Sequence, residues 1–494
     1  MSKPTIGTVT RRLLPSALLF LFVPVLAGAG ATPPGPAGAS GRPNIVFILA
    51  DDLGWSDLTG YGSDFHRTPH IDRLAREGVR FTSFYAAAPV CTPTRASIMT
   101  GQHPARLHTT VWFEASQNPP QDRKLIPPRT VGNLSHEHVT LAEALSSAGY
   151  FTAHVGKWHL GDAAHYPETH GFDVNIGGTF WGAPSTFFYP YRGRWSRSTE
   201  IRYVPDLPFG REGEYLTDRL TTEAIATMRR VRDRPFFIHL AYHTVHTPIE
   251  GKPEIVASYE NSVQPTRQHR NPVYAAMVHS LDENVGRVLS TLEEIQVADR
   301  TIVVFTSDNG GYINEHRGMR VTDNRPLRSG KGSLYEGGIR VPLIVRWPGV
   351  TPPGESCERV VQSTDLYTTV LEMTGSAAAR APEAATDGQS IVPLLRDPGG
   401  GGRRGPVFWH YPHYYFFPKT TPTSAVRDGE WKLIEFLEDR RVELYNLKDD
   451  IGESRDLSGS MPDKTDALRR MLHAWRTKVD AQMPTPNRAW RRHR

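Results

Sequence analysis

The chain has 494 residues, 38% of them hydrophobic and 22% charged, with a formal net charge of +5 and two cysteines. That is ordinary soluble composition, long enough to bury a large core over two or three domains, and it leaves room for one disulfide at most. The isoelectric point near 9.1 is no argument for a nucleic-acid partner, because Lys3, Arg11 and Arg12 belong to a leader and the remainder is close to neutral.

In chain order, those basic residues precede an apolar run from Leu13 to Ala29 and a small-residue exit, Ala29-Gly30-Ala31. This pattern predicts an export signal over residues 1–31, and hence a periplasmic or secreted bacterial protein. The run is short for a membrane span and Pro15 and Pro24 interrupt it, so no stable span is expected after cleavage; an uncleaved anchor is the alternative. Thr10-Arg11-Arg12 loosely matches a twin-arginine leader, which would mean export after folding. Residues 32–42, rich in Pro, Gly and Ala, predict a flexible linker.

Asn44 to Ala50 is continuous and apolar, as a strand covered on both faces should be, and similar runs recur at Phe236–Ala241 and Thr301–Thr306. Helical patterns lie between them. Thr68-Pro69 opens one that closes near Gly78, Thr140-Leu-Ala-Glu143 is a capping box for another, and Tyr274 to Ile295 carries Met277, Leu281, Val285, Val288 and Leu292 on one stripe. Alternating strands and helices predict an α/β domain with a large, mostly parallel central sheet over residues 43–375. A connecting segment is expected at 376–405, where Ala, Pro and Gly accumulate. Over 406–494, short strands at Val407–Tyr411, Ser424–Phe436 and Val442–Leu447 and a helix through Leu468, Leu472 and Trp475 predict a smaller antiparallel sheet plus helix. The closing Arg488, Arg491, Arg492 and Arg494 read as a solvated basic tail.

The stretch Pro89-Val90-Cys91-Thr92-Pro93-Thr94-Arg95 raises the question of what its cysteine does. One reading is a bridge from Cys91 to Cys357. The other starts from Thr92 as N-cap, Pro93 as first helical residue and Gly101 as C-cap, which puts Cys91 beside a helix N-terminus that favours negative charge. Arg95 falls in the first turn and can fold back toward the same spot, so an anionic tetrahedral group would fit, and a lone thiolate of lowered pKa could act there.

The same stretch, with Ile98-Met99-Thr100-Gly101, resembles the sulfatase signature in which Cys-x-Pro-x-Arg is oxidised to Cα-formylglycine. A second sulfatase signature is matched by Gly149-Tyr150-Phe151-Thr152 and Gly156-Lys157-Trp158-His159. The resemblance runs from about Pro43 to the C-terminus. It implies an alkaline phosphatase-like fold, an arylsulfatase-like sulfuric ester hydrolase, and a formylglycine-generating or anaerobic sulfatase-maturating enzyme as partner.

Asp51-Asp52 and Ser307-Asp308-Asn309 each end a predicted strand, where α/β sheets bind ligands; they are either turn residues or the oxygen ligands of a hard cation. The resemblance implies calcium there, with formylglycine 91 and substrate sulfate completing the shell; magnesium wants a stricter octahedron. Lys157 and His159, two apart, would share one side of a strand. His243 and His246 follow the apolar run at Phe236, and Lys331 sits in the glycine-rich Gly330–Gly338. His243, His154 and His165 read as ordinary satisfied histidines. By resemblance, Lys157, His246 and Lys331 grip sulfate oxygens and the leaving oxygen, while Arg95 and His159 hold the formylglycine. A further polar residue after Gly171-Phe172-Asp173 lies among Thr179, Trp181 and Ser185.

The mechanism so implied has Asp308 deprotonating one hydroxyl of the hydrated aldehyde, which attacks sulfur. His246 or Lys331 protonates the leaving alcohol, and the second hydroxyl loses its proton to His159 as sulfate departs. The substrate is an aryl sulfate or a sulfated saccharide, with galactose or N-acetylgalactosamine sulfates expected from the resemblance. Aromatic residues at 180–191 and 408–417 are divided between core and sugar-stacking roles. The alternatives are a phosphonate or phosphodiester hydrolase of the same fold and a catalytically silent glycan-binding relative.

Overall fold

The structure, a computed structural model, describes residues 41–117, 119–120, 122–195, 198–207, 209–379, 386–402, 404–416 and 419–490. The predicted export signal, nearly all of the linker, and Arg491, Arg492 and Arg494 lie outside the described residues.

Among the described residues the main sheet has eight strands. They are β1 (Asn44–Ala50), β2 (Val79–Phe81), β3 (Phe151–Gly156), β4 (Val174–Ile176), β5 (Phe236–Ala241), β6 (Thr301–Ser307), β7 (Leu343–Arg346) and β8 (Glu355–Cys357). Their spatial order is β8-β2-β7-β6-β1-β5-β3-β4. Every neighbouring pair is parallel except the two that β7 makes, with β6 and β2. The three apolar runs therefore became the central strands, as a sheet buried on both faces requires.

Side chains alternate between two cores, following the two-residue period of a strand. Val46, Ile48, Ile238, Leu240, Val303 and Phe305 pack with α1 (Pro69–Glu77) and with two longer helices of residues 216–231 and 272–294. Ile45, Phe47, Leu49, Phe237, Ile302 and Val304 face the other way, against α2 (Cys91–Thr100), α3 (Leu141–Ser147) and the helix of residues 365–373. The Thr140–Glu143 capping box forms as predicted. Thr68, in contrast, precedes α1 without a side-chain cap, the missing N–H of Pro69 leaving one fewer donor to satisfy.

The smaller antiparallel sheet comprises β9 (Val407–Tyr411), β10 (Thr423–Asp428), β11 (Trp431–Phe436) and β12 (Val442–Asn446), in that order. One face packs against the final helix, Pro462–Lys478, through Val426, Leu433, Leu444, Leu468 and Leu472. The other brings Trp409, Tyr411, Ala425 and Ile434 onto Tyr85, Val90, Leu334 and Ile339. A buried ion pair fastens this face: Lys432 Nζ lies 2.8 Å from both Glu336 Oε1 and Glu453 Oε1. The loops around α2 and Lys331 are thereby held against a rigid second sheet.

Candidate active site

Register assembles the site. Ala50 pairs with Ser307, and Ala241 pairs with Gly156 in β3, while Leu49 pairs with Ala241 in β1. Residues leaving these four strands must emerge together at their carboxyl ends. The exits are bonded to one another: Asp51 N donates to Thr244 O at 3.0 Å, Asp308 N to Ala50 O at 3.2 Å and Lys157 N to Ala241 O at 2.7 Å. Lys157 and His159 reach the site from the segment after β3, and not from a shared strand face as expected. Gly156, at φ +106°, turns the chain out of the sheet where a Cβ would meet Ala241 O. Asp52 and His159 both hold positive φ, near 61° and 60°, a strained conformation for side-chain-bearing residues that clusters at functional sites.

Helix α2 begins at Cys91 itself, capped by extended Val90 without a side-chain bond. The expected cap, Thr92, is otherwise engaged: its hydroxyl donates to His159 O at 3.1 Å. Gly101 closes the helix at φ 68° as predicted. Cys91 and Cys357 are both free, so the bridge is not formed. Cys91 Sγ lies 3.4 Å from His159 Nδ1. Burial would raise its thiol pKa, but the charges of Lys157 and His159 outweigh burial and pull it down to about 6. Arg95 is buried and joins two exits, donating from Nε to Asp308 Oδ2 and from Nη1 to Lys157 O, both at 2.9 Å.

Beside the thiol lies an acidic cluster. Lys157 Nζ sits 2.7 Å from Asp51 Oδ2, Lys331 Nζ 2.7 Å from Asp52 Oδ1, and His246 Nε2 3.6 Å from Asp52 Oδ2. Burial and the Asp308 carboxylate hold Asp51's pKa well above the usual carboxylate range, beyond what Lys157 offsets. Burial acts on Asp52 too, but Lys331 and His246 prevail and lower it to about 2. His246 is driven well below its ordinary value by burial and by Lys331. Asn309 Nδ2 donates to Asp52 Oδ1 at 2.8 Å; among the described residues Asn309 Oδ1 is buried without a hydrogen-bond partner, as is Asp51 Oδ1, which has only the Arg95 guanidinium at 3.9 Å. Orphaned hard oxygens amid mutually repelling carboxylates are the donor set that a calcium-like cation satisfies, so the residues fit that ion.

Above Cys91 a cavity of about 610 Å³ is lined by Trp112, Glu114, Trp195, Arg202, Tyr312, Tyr415 and Phe416, with His159, His246 and Lys331 at the reactive end. Glu114 Oε2 lies 3.9 Å from His159 Nε2. Burial pushes the Glu114 carboxyl up, yet its neighbour His159 holds it below its ordinary value. A Cβ on Gly182 would come within 2.2 Å of the His159 ring, and one on Gly332 within 2.2 Å of the Tyr415 ring. Both glycines thus admit a site side chain flat against the backbone.

The sulfatase family matches residues 43–376, and the C-terminal region of N-sulphoglucosamine sulphohydrolase matches residues 330–481. The chain belongs to the sulfatase family. A sulfatase of Formosa agariphila is 32% identical over 90% of each chain. The N-acetylgalactosamine-6-sulfatase of Canis lupus familiaris is 33% identical over 78% of this chain and 71% of its own. The crystal structure of Ps i-CgsB in complex with k-i-k-neocarrahexaose matches with a TM-score of 0.73 at 29% identity, covering 91% of this chain and 94% of that one. This sulfatase is accordingly a sulfuric ester hydrolase of alkaline phosphatase-like fold.

Other sequence expectations about this sulfatase divide. His154 is a satisfied core histidine, between His239 Nδ1 at 3.0 Å and Gly156 O at 3.1 Å, and His165 pairs with Asp162. His243 differs from the satisfied histidine expected: it is buried with both ring nitrogens unpartnered among the described residues. Of Thr179, Trp181 and Ser185, none lines the cavity; Thr179 instead accepts the His159 N–H through its carbonyl at 3.0 Å. Among the aromatic residues, Trp409 and Tyr411 are core and Tyr415 and Phe416 line the cavity, while Phe417 lies outside the described residues. Glu114, Trp112, Tyr312 and Gly182 carry no motif or period that sequence reading could have used.

Proposed function

We propose that this sulfatase removes sulfate from a glycan, with Cys91 as precursor of a Cα-formylglycine and a calcium ion at the acidic cluster. The observation that carries the reading is the position of Cys91 as first residue of α2, its Sγ 3.4 Å from His159 and its thiol lowered by Lys157. Asp51, Asp52, Asp308 and Asn309 would hold the ion, which when bound supplies positive charge against the ester oxygens. The hydrated aldehyde supplies two hydroxyls on one carbon, one to take the sulfuryl group and one to release it, which neither a thiol nor a serine offers.

This chain's own residues do the rest. Lys157 and Lys331 grip sulfate oxygens and neutralise charge developing in the transition state. Lys331, whose ammonium Asp52 keeps charged against the cost of burial and which lines the cavity beside His246, donates a proton to the leaving oxygen. We assign proton acceptance at position 91 to His159, with Glu114 behind it stabilising the imidazolium as a triad carboxylate does. Asp308 is not chosen, because Oδ1 accepts from Asp52 N at 3.1 Å and Oδ2 from Arg95 at 2.9 Å.

The cavity walls of Trp112, Trp195, Tyr415 and Phe416 offer ring faces to a sugar. The names N-acetylgalactosamine-6-sulfatase and k-i-k-neocarrahexaose among the relatives support a saccharide substrate, with galactose or N-acetylgalactosamine sulfate our choice. Export and maturation by a formylglycine-generating or anaerobic maturating enzyme belong to the same proposal. No described helix is long and apolar enough to cross a membrane. A panel of defined sulfated saccharides, small aryl sulfates and aryl phosphate esters tests the substrate. Desulfation of a saccharide supports the reading, and turnover of aryl sulfates alone removes the glycan. A higher kcat/KM on the phosphate esters would favour the phosphonate or phosphodiester alternative, and binding without turnover the silent one.

A further inference from the structure

Asp57 ends the short turn Trp55–Asp57 that follows the Asp51-Asp52 pair, and it is fully buried. Two imidazoles face it: His269 Nε2 lies 3.4 Å from Oδ1, while His66 Nδ1 lies 4.0 Å from Oδ1 and 2.8 Å from the Asp57 main-chain oxygen, with the two rings 4.6 Å apart. Ligand atoms from the three residues all lie within 4.8 Å of one another. Among the described residues these histidines are the ion-pair partners of Asp57, with no lysine or arginine in that role.

A buried carboxylate is costly unless its charge is met. Gly54 N at 2.7 Å and the Tyr274 hydroxyl at 2.6 Å bond Oδ2, and the Thr322 hydroxyl bonds Oδ1. These are dipoles; a single imidazolium at His269 or a bound cation would meet the charge, whereas two imidazoliums stacked so closely would repel each other. His269 Nε2 is buried without a hydrogen-bond partner. Its opposite nitrogen, Nδ1, lies 3.4 Å from Ser63 Oγ and 3.8 Å from Asp64 Oδ1. That is the outer-shell support a metal-bound imidazole uses. His269 also lines a cavity of about 740 Å³ with Gln268, Thr322 and Asp323, which gives an ion a way in.

We propose that Asp57, His66 and His269 form a second metal site, for a divalent ion of the zinc class. Two imidazoles and one carboxylate suit zinc, whereas calcium takes oxygen ligands, so the site is chemically distinct from the cluster at Asp51. The ion would tie together the 55–57 turn, the loop before α1 and the loop before residue 272. It would also brace the 322–324 segment, whose Asn324 bonds Gly311 O and Ser329 O beside the Lys331 loop.

The test uses the full-length enzyme, stripped by chelator, saturated with calcium and titrated with Zn2+ by calorimetry and with Co2+ by visible absorption. The expected result is one zinc per chain that calcium does not displace and that Asp308→Asn retains. His269→Ala should weaken it by roughly 100-fold and Ser63→Ala by about tenfold. Because His269→Ala removes a buried ring, the wild-type cobalt spectrum is a second reading, expected to show four-coordinate nitrogen and oxygen ligation. Absence of calcium-resistant zinc, an octahedral all-oxygen cobalt spectrum, or zinc uptake unchanged in folded His269→Ala would each overturn the site.

Discussion

Glu114 Oε2 lies 3.9 Å from His159 Nε2, and both atoms are buried with no hydrogen-bond partner. The other nitrogen of the same ring faces Cys91 Sγ at 3.4 Å. A carboxylate, an imidazole and the reacting position therefore lie in line. Glu114→Gln preserves volume and removes the charge, so kcat should fall by about 10- to 100-fold with KM little changed. Steady-state kinetics on one sulfate ester checks this; a raised KM at unchanged kcat would make Glu114 a substrate contact instead.

Gly182→Ala tests the same ring from the backbone side. Its Cβ would stand 2.2 Å from His159 Cε1, so the imidazole must move by more than an ångström. A displacement of that size near reacting atoms costs on the order of 100-fold in rate. Stability should stay close to that of the parent, so normal melting with low kcat is the expected pairing.

Lys331 Nζ contacts both Asp52 oxygens, at 2.7 and 2.8 Å. Lys331→Ala leaves the buried carboxylate with its strongest partner gone, which should cost about 3–5 kcal/mol in chelator-treated protein. The depressed folded-state pKa of Asp52, about 2, means its stabilising contribution is present above the unfolded carboxylate range and is lost as pH falls toward 2. In the variant Asp52 loses the partner that most lowers its pKa, so this acid-dependent loss should shrink. Acid titration of the melting temperature checks it, and kcat should drop by roughly 100- to 1,000-fold alongside.

Two histidines away from the site set a second acid limit of the same sign. His103 Nδ1 accepts from Ala105 N at 3.1 Å while Nε2 donates to Phe408 O at 2.9 Å, a pattern only the neutral ring fulfils. Burial pulls His103 down to about 4 and His410 to about 3. The unfolded chain therefore takes up these protons first, and stability is lost as pH falls from about 6.5 toward the folded values. His103 alone accounts for roughly 3 kcal/mol by pH 4. His103→Gln should flatten the stability–pH curve over that window; an unchanged slope would refute the assignment.

What was legible in the sequence follows from where each residue's constraint lies. Asp51 and Asp308 could be placed because buried strands advertise themselves as apolar runs, and the ends of parallel neighbours meet. Cys91, Arg95 and Lys331 could be placed because their short motifs are distinctive. The strand assignment of Lys157 and His159 failed because Gly156 leaves the sheet through a positive φ that no periodicity encodes. Thr92 failed as a cap because tertiary structure claims its hydroxyl for His159 O. Glu114 sits in the short helix Phe113–Gln117 and Gly182 and Tyr415 in segments between regular elements, and only packing brings them to Cys91.

The most direct test of the account is mass spectrometry of the peptide containing residue 91, taken from fully active enzyme produced with a formylglycine-generating partner. The account predicts an aldehyde at that position, in proportion to specific activity across preparations. An unmodified thiol throughout, at full activity, would contradict it.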